Sequence, residues 1–120
     1  LSPDGGLSWH LAQALPRQIV SEWLMGGERI GAARLHALGL VNAICESGQA
    51  LRDALALAAR LNARAPNALA SIKELLNEAQ ASTLSTHLPR ERDQFVRNLH
   101  HANAGIGIAA FLSKQTPTYN

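Results

Sequence analysis

One carboxylate stands at a proline–glycine corner near the start of the chain, in the stretch Ser2-Pro3-Asp4-Gly5-Gly6. Pro3 fixes its own φ, Asp4 is a residue type favoured as a helix N-cap, and Gly5 and Gly6 permit a tight turn or a close approach of backbone to a ligand. The residues that follow, Leu7 to Ala12, read as a helix. Asp4 therefore has two readings. As an N-cap its side chain would accept an N–H of the next turn and contribute about 1 kcal/mol. Turned toward a substrate, it could take a proton from one carbon and return it to another. Trp9 and His10 follow closely enough to border the same pocket, with core packing as the alternative for Trp9.

Other groups with chemical potential have plainer readings. The pair His100-His101 invites a metal site, but adjacent helical residues do not face each other and no cysteine or carboxylate sits at ligand spacing, which points to a structural or surface role. Cys45 is the single cysteine, so no intrachain disulfide forms, and a small buried hydrophobe is the expectation for it. Phe111 and Lys114 lie at i and i+3 and share a helix face. Read locally, Phe111 is a core anchor and Lys114 a solvated charge that complements the end of the helix dipole.

The elements that must position these groups are helical. Nearly half of the 120 residues are apolar (47%), with many Ala and Leu and few aromatics, a composition suited to small aliphatic cores on helices. The spacing predicts helices over Leu7–Leu15, Pro16–Met25 with Pro16 at its first position, Ala32–Leu38 closed by Gly39, about Gln49–Ala63, and Pro66 to about Ala81. A further helix is expected to begin near Leu88, with Pro89 in its first turn and Leu88, Phe95 and Leu99 in register, and a last one to run from about Asn103 to Lys114. Inward faces are expected for Ile19, Val20, Trp23 and Leu24; for Leu51, Ala54, Leu55, Ala58 and Leu61; and for Leu69, Ile72, Leu75 and Leu76. Val41–Cys45 is the one credible strand; lacking a partner it would lie as an extended connector. The fold class expected is therefore all-α, about six helices with one short connector, in a single helical domain over 1–120.

Net charge is only +2 and signs alternate locally, as in Arg90-Glu91-Arg92-Asp93, which describes a solvated helix face and not a nucleic-acid stripe. No apolar run approaches the ~20 residues that cross a bilayer, and no signal peptide with a basic n-region is visible. A cytoplasmic protein that binds neither nucleic acid nor membrane is the expectation.

Three blocks carry a resemblance. They are the Ser2-Pro3-Asp4-Gly5-Gly6 corner; Gly27-Glu28-Arg29-Ile30-Gly31-Ala32 with Gly39-Leu40-Val41-Asn42 after it; and Gly107-Ile108-Ala109-Ala110-Phe111-Leu112-Ser113-Lys114 followed by Pro117 and Tyr119. In this order they resemble the second half of an enoyl-CoA hydratase/isomerase of the crotonase family, from Ser2 to Tyr119. The resemblance implies the C-terminal helical part of a crotonase-type fold, with the larger βα-repeat half outside this sequence. Residues 1–45 would form the turn and helices beside the active site, and 46–120 the helices of oligomerisation and of the CoA side.

The implied activity is hydration or double-bond isomerisation of enoyl-CoA thioesters, with coenzyme A as the substrate's own handle and no other cofactor or metal. An aspartate matching Asp4 faces the reacting acyl chain in several isomerases of the family and in a related dehalogenase, whereas hydratases usually carry a small residue there. Pro3, Gly5 and Trp9 would border that chain. Phe111 and Lys114 would meet the CoA nucleotide, the ring on adenine and the ammonium on phosphate as a point charge. A homotrimer or dimer of trimers is implied. The two glutamates and the oxyanion-binding N–H groups of a hydratase would lie upstream of Leu1, so the 120 residues alone are expected to be inactive.

The sequence departs from the family pattern at Gln115, where a second basic residue is common, at Asn103 and Ile106, where acidic residues are common, and at Arg34-Leu35, where a Glu-Ala pair is typical. Two other readings stand beside the leading one. One is a helical oligomerisation or interaction module without catalysis; the other is a crotonase-like enzyme with different acyl-CoA chemistry, such as dehalogenation or hydrolysis.

Overall fold

A computed structural model of the chain describes residues 2–119, which form seven α-helices and no strand. The helices are α1 (Leu7–Ala14), α2 (Arg17–Gly26), α3 (Ala32–Ala37), α4 (Ala50–Asn62), α5 (Pro66–Ala79), α6 (Leu84–Leu99) and α7 (Ala102–Ser113). They fall into two compact units, Leu1–Ala50 and Leu51–Asn120.

In the first unit α1 packs on α2. Pro16 does not occupy the first helical position as expected. It is the N-cap of α2, with extended ψ, and its carbonyl accepts the Val20 N–H at 3.3 Å. Leu15, just past the end of α1, and Val20 of α2 are the buried apolar residues among those described. Each contributes about 1.5–3 kcal/mol by leaving water. Gly39, at φ 75°, closes α3. Val41–Cys45 is not a strand: its backbone bends at Val41 and Asn42 and then runs irregularly into α4. Among the described residues no second strand offers the hydrogen bonds a strand requires, and the connector is what remains.

In the second unit α5 packs on α6 and α6 on α7, and α4 takes no comparable part. Pro66 sits in the first turn of α5, where its missing N–H costs nothing. α6 begins earlier than expected. Thr83 is its N-cap, in a reciprocal capping box with Thr86, and Pro89 lies inside the helix. The capping box starts the helix before the proline is reached. Pro89 then leaves the Ser85 carbonyl without its i+4 donor, a position that costs ~3 kcal/mol relative to alanine.

The expected inward faces of this unit are largely outward. Every residue of α4 is exposed, with Leu51 at 73%. Ile72, Leu76, Leu88, Phe95 and Leu99 are also exposed, and only Leu69 and Leu75 are half-buried. What lies between α5, α6 and α7 is polar. Asn103 Nδ2 donates to Asn67 Oδ1 (2.7 Å), Asn67 Nδ2 to Asn98 Oδ1 (2.6 Å), and Asn98 Nδ2 to Ser71 Oγ (2.8 Å). The chain continues from Ser71 Oγ to Gln94 Oε1 (3.0 Å) and from Gln94 Nε2 to the Glu74 carboxylate (2.7 Å). Beside it Arg90 pairs with Glu78 at 2.6 Å. Such bonds add about 1 kcal/mol each but leave a larger penalty when one partner is removed.

Leu15 and Val20 being the buried apolar residues among those described, the apolar faces of α4, α5 and α6 are surfaces awaiting cover.

Candidate functional site

The Asp4 corner is built by two left-handed glycines, Gly5 at φ 58° and Gly6 at φ 83°. A side chain at either would be strained, which is why the turn needs this pair. The Leu7 N–H donates to the Asp4 carbonyl at 3.0 Å, closing the turn, and the His10 N–H donates to the Gly6 carbonyl at 3.0 Å, opening α1. Gly6, not Asp4, is the N-cap, and no side chain caps the helix. The N-cap reading of Asp4 is therefore overturned. Its carboxylate is exposed and has neither hydrogen bond nor ion pair among the described residues.

Behind the corner lies a cavity of about 390 Å³ walled by Pro3, Leu7, Leu11, Trp23, Leu24 and Ile30, with Glu28 among its lining residues. Leu7 and Leu11, one helical turn apart, supply the α1 wall; Trp23 and Leu24 supply the α2 wall. Trp23 is half-buried there. Pro3 is thus brought to the cavity, while Asp4 and Gly5 stand on the turn beside it. Trp9 is not. Two residues beyond Leu7, it projects about 200° around α1, is 54% exposed, and meets the His10 ring edge-on with centroids 4.9 Å apart. The core-packing alternative for Trp9 fails for the same reason.

Phe111 and Lys114 belong to the end of α7 in the second unit. Phe111 is 83% exposed and is no core anchor of this chain. Lys114 ends the helix in the left-handed conformation, at φ 56°, the one non-glycine residue with positive φ among those described. The Gln115 N–H reaches back to the Ala110 carbonyl at 2.9 Å, completing the cap. A glycine would take that position freely, and a lysine there costs about 1 kcal/mol or more.

His101 is structural: its Nδ1 accepts the Asn103 N–H at 3.1 Å and caps α7. Among the described residues no three metal-ligating side chains cluster. Cys45 is exposed, contrary to its expected burial. Sequence reasoning missed Glu28, read only as a turn residue, and the amide chain from Asn103 to Glu74. Its members on α5 and α6 do share faces, Asn67 with Ser71 and Glu74, and Gln94 with Asn98, at spacings of three and four.

Comparison with known proteins places this geometry. The family model described as enoyl-CoA hydratase/isomerase matches residues 1–120. The chain is 30% identical to the 2,3-dehydroadipyl-CoA hydratase of Escherichia coli K12 over 99% of its own length and 47% of that protein's. It is 31% identical to a carnitinyl-CoA dehydratase of the same strain, over 98% of its length and 46% of that protein's. Among solved structures, an enoyl-CoA hydratase from Polaromonas sp. JS666 superposes with a TM-score of 0.96 at 68% identity, covering 100% of this chain and 47% of that one. One from Geobacillus kaustophilus superposes at 0.94 with 29% identity, again over 100% and 47%. The chain spans about half the length of the curated relatives it matches. The all-helical architecture is that of the C-terminal helical part of such proteins, and with a model match over every residue the chain belongs to the enoyl-CoA hydratase/isomerase family of the crotonase superfamily.

Proposed function

We propose that the complete protein to which this chain belongs acts on acyl-CoA thioesters, hydrating enoyl-CoA or shifting its double bond. The match of the whole chain to enoyl-CoA hydratases carries this reading. In it the apolar cavity behind Pro3 receives the acyl chain, and Gly5 lets the backbone come close to it. Asp4, on the turn beside that cavity, moves the proton between acyl carbons, favouring isomerisation over hydration. Trp9 borders the substrate only where the acyl chain extends past the outer face of α1. Stabilisation of the enolate-like thioester oxygen falls to groups outside these residues, so the 120 residues alone do not turn over substrate. The chemistry requires no cofactor beyond the CoA of the substrate itself.

Phe111 and Lys114 meet the CoA nucleotide in this proposal, the ring covering adenine and the ammonium facing phosphate. The left-handed backbone of Lys114 supports it, because a strained position kept by a lysine is one where the side chain has work to do. The protein assembles as a trimer or a dimer of trimers in the cytoplasm, its exposed apolar helix faces meeting neighbouring subunits. Among the described residues no helix is long and apolar enough to cross a membrane.

The test is Asp4→Asn in the complete gene product, assayed on 3-enoyl-CoA and 2-enoyl-CoA substrates. A fall in isomerisation of about 10²–10⁴-fold, with hydration changed less, is expected for loss of a general acid–base. Unaltered isomerisation would remove Asp4 from the mechanism. The exposed face of α4 favours a second reading, an oligomerisation module without catalysis. Under it the complete product would turn over neither substrate yet still assemble.

A further inference from the structure

Helices α5, α6 and α7 hold a single buried residue among those described, and it is polar: Asn103, 6% exposed, at the start of α7. The rest of α7 offers little grip. Ile108, Phe111 and Leu112 are exposed, and Gly105 and Gly107 carry no side chain. The direction in which α7 leaves α5 and α6 is therefore set chiefly by what Asn103 holds.

Asn103 heads the chain of hydrogen bonds that ends on Glu74, and that chain has one possible direction. An ionised carboxylate only accepts, so Gln94 presents Nε2 to Glu74 and keeps Oε1 for the Ser71 hydroxyl. Ser71 Oγ, its proton spent, accepts from Asn98 Nδ2. Asn98 Nδ2 also donates to the Gln94 backbone carbonyl at 2.9 Å, an acceptor that fixes the same orientation independently. Asn98 Oδ1 then takes Asn67 Nδ2, and Asn67 Oδ1 is left needing a donor from α7. Asn103 Nδ2 is that donor. An aspartate of the same shape would set a carboxylate against Asn67 Oδ1, and turning the Asn67 amide over would only move the clash of acceptors to Asn98.

We propose that Asn103 is a positioning residue for the coenzyme A end of the substrate, acting through this one-way chain. The inference rests on the proposed contact of Phe111 and Lys114 with the CoA nucleotide. Lys114 lies about 16 Å along the helix from Asn103, so a tilt of about 10° at Asn103 carries the far end about 3 Å sideways. A misplacement of about 1 Å is already enough to weaken a positioned contact by up to about 10²-fold. The amide chain thus holds the CoA end of α7 from its opposite end, without touching substrate.

The test is steady-state kinetics of the complete gene product on crotonyl-CoA and on crotonyl-pantetheine, which keeps the thioester and lacks the nucleotide. Asn103→Asp is expected to raise KM for crotonyl-CoA about tenfold at unchanged kcat, and to leave KM for crotonyl-pantetheine as in the unaltered protein. Ser71→Ala opens the chain at its middle without introducing charge. It is expected to act in the same direction by about threefold, and it carries the test should Asn103→Asp not fold. Equal changes on both substrates, a fall in kcat alone, or an unchanged KM for crotonyl-CoA would each overturn the proposal while leaving the acyl-CoA reading in place. No turnover of either substrate by the unaltered protein would remove that reading and the proposal together.

Discussion

Unit 1 closes on Leu15 and Val20, aliphatic side chains taken out of water between α1 and α2; unit 2 closes on Asn67, Ser71, Gln94, Asn98 and Asn103, amides and a hydroxyl that satisfy one another. In the first, the half-buried Leu11, Trp23, Leu24 and Ile30 frame the cavity behind Pro3. In the second, apolar residues turn outward, leaving Phe95 and Leu76 at 67% and 66% exposure while the polar chain sets the register of the helices. The contrast separates two jobs. Apolar closure makes a wall around a cavity; polar closure lets a helix group hold its geometry while keeping its apolar faces for other surfaces.

Substitutions can break this contrast one unit at a time. Leu15→Ala is expected to cost about 3 kcal/mol, lowering protection of α1 and α2 in hydrogen exchange while α5 and α6 keep theirs. Asn103→Ala should show the mirror image, a loss of about 2 kcal/mol confined to α5–α7, because it strips the Asn67 side chain of its donor while leaving the backbone N–H that His101 accepts in place. Simultaneous loss of protection in both units from either change would deny that they close separately. The smallest effect is Lys114→Gly. It relieves the left-handed backbone and should raise the melting free energy by about 1 kcal/mol, while weakening CoA binding by the complete protein if the lysine faces phosphate. Improved stability with unchanged CoA affinity would leave Lys114 as a cap alone.

Much of the fold was legible because helix signals are local. Leu7 and Leu11, Pro66 and Gly39 each announce an element through periodicity, a first-turn proline or a left-handed closure, and each stands where its spacing puts it. Pro89 misled because a proline near a helix start is ordinarily in the first turn; the Thr83–Thr86 capping box, whose third residue is not the usual Glu or Gln, outweighs it. Val41–Cys45 has strand composition but no neighbouring strand among the described residues, and composition cannot supply one. The apolar stripes of α4 to α6 were correctly placed on helices and wrongly turned inward, since periodicity reports a face and not what covers it. At the site, Pro3 lines the cavity behind the corner. Trp9 is not among its lining residues, because a spacing of two on a helix opposes Leu7. Glu28 had no periodic signal, and the Asn103–Glu74 chain shows as a pattern only once α5, α6 and α7 are side by side.

The most direct test of the central claim, that these residues form one part of an acyl-CoA site completed elsewhere, is crotonyl-CoA hydration by the 120-residue chain and by the complete gene product under the same conditions. Turnover by the complete product and none by the chain alone is the predicted result. Turnover by the chain alone, or an inert complete product, would contradict it.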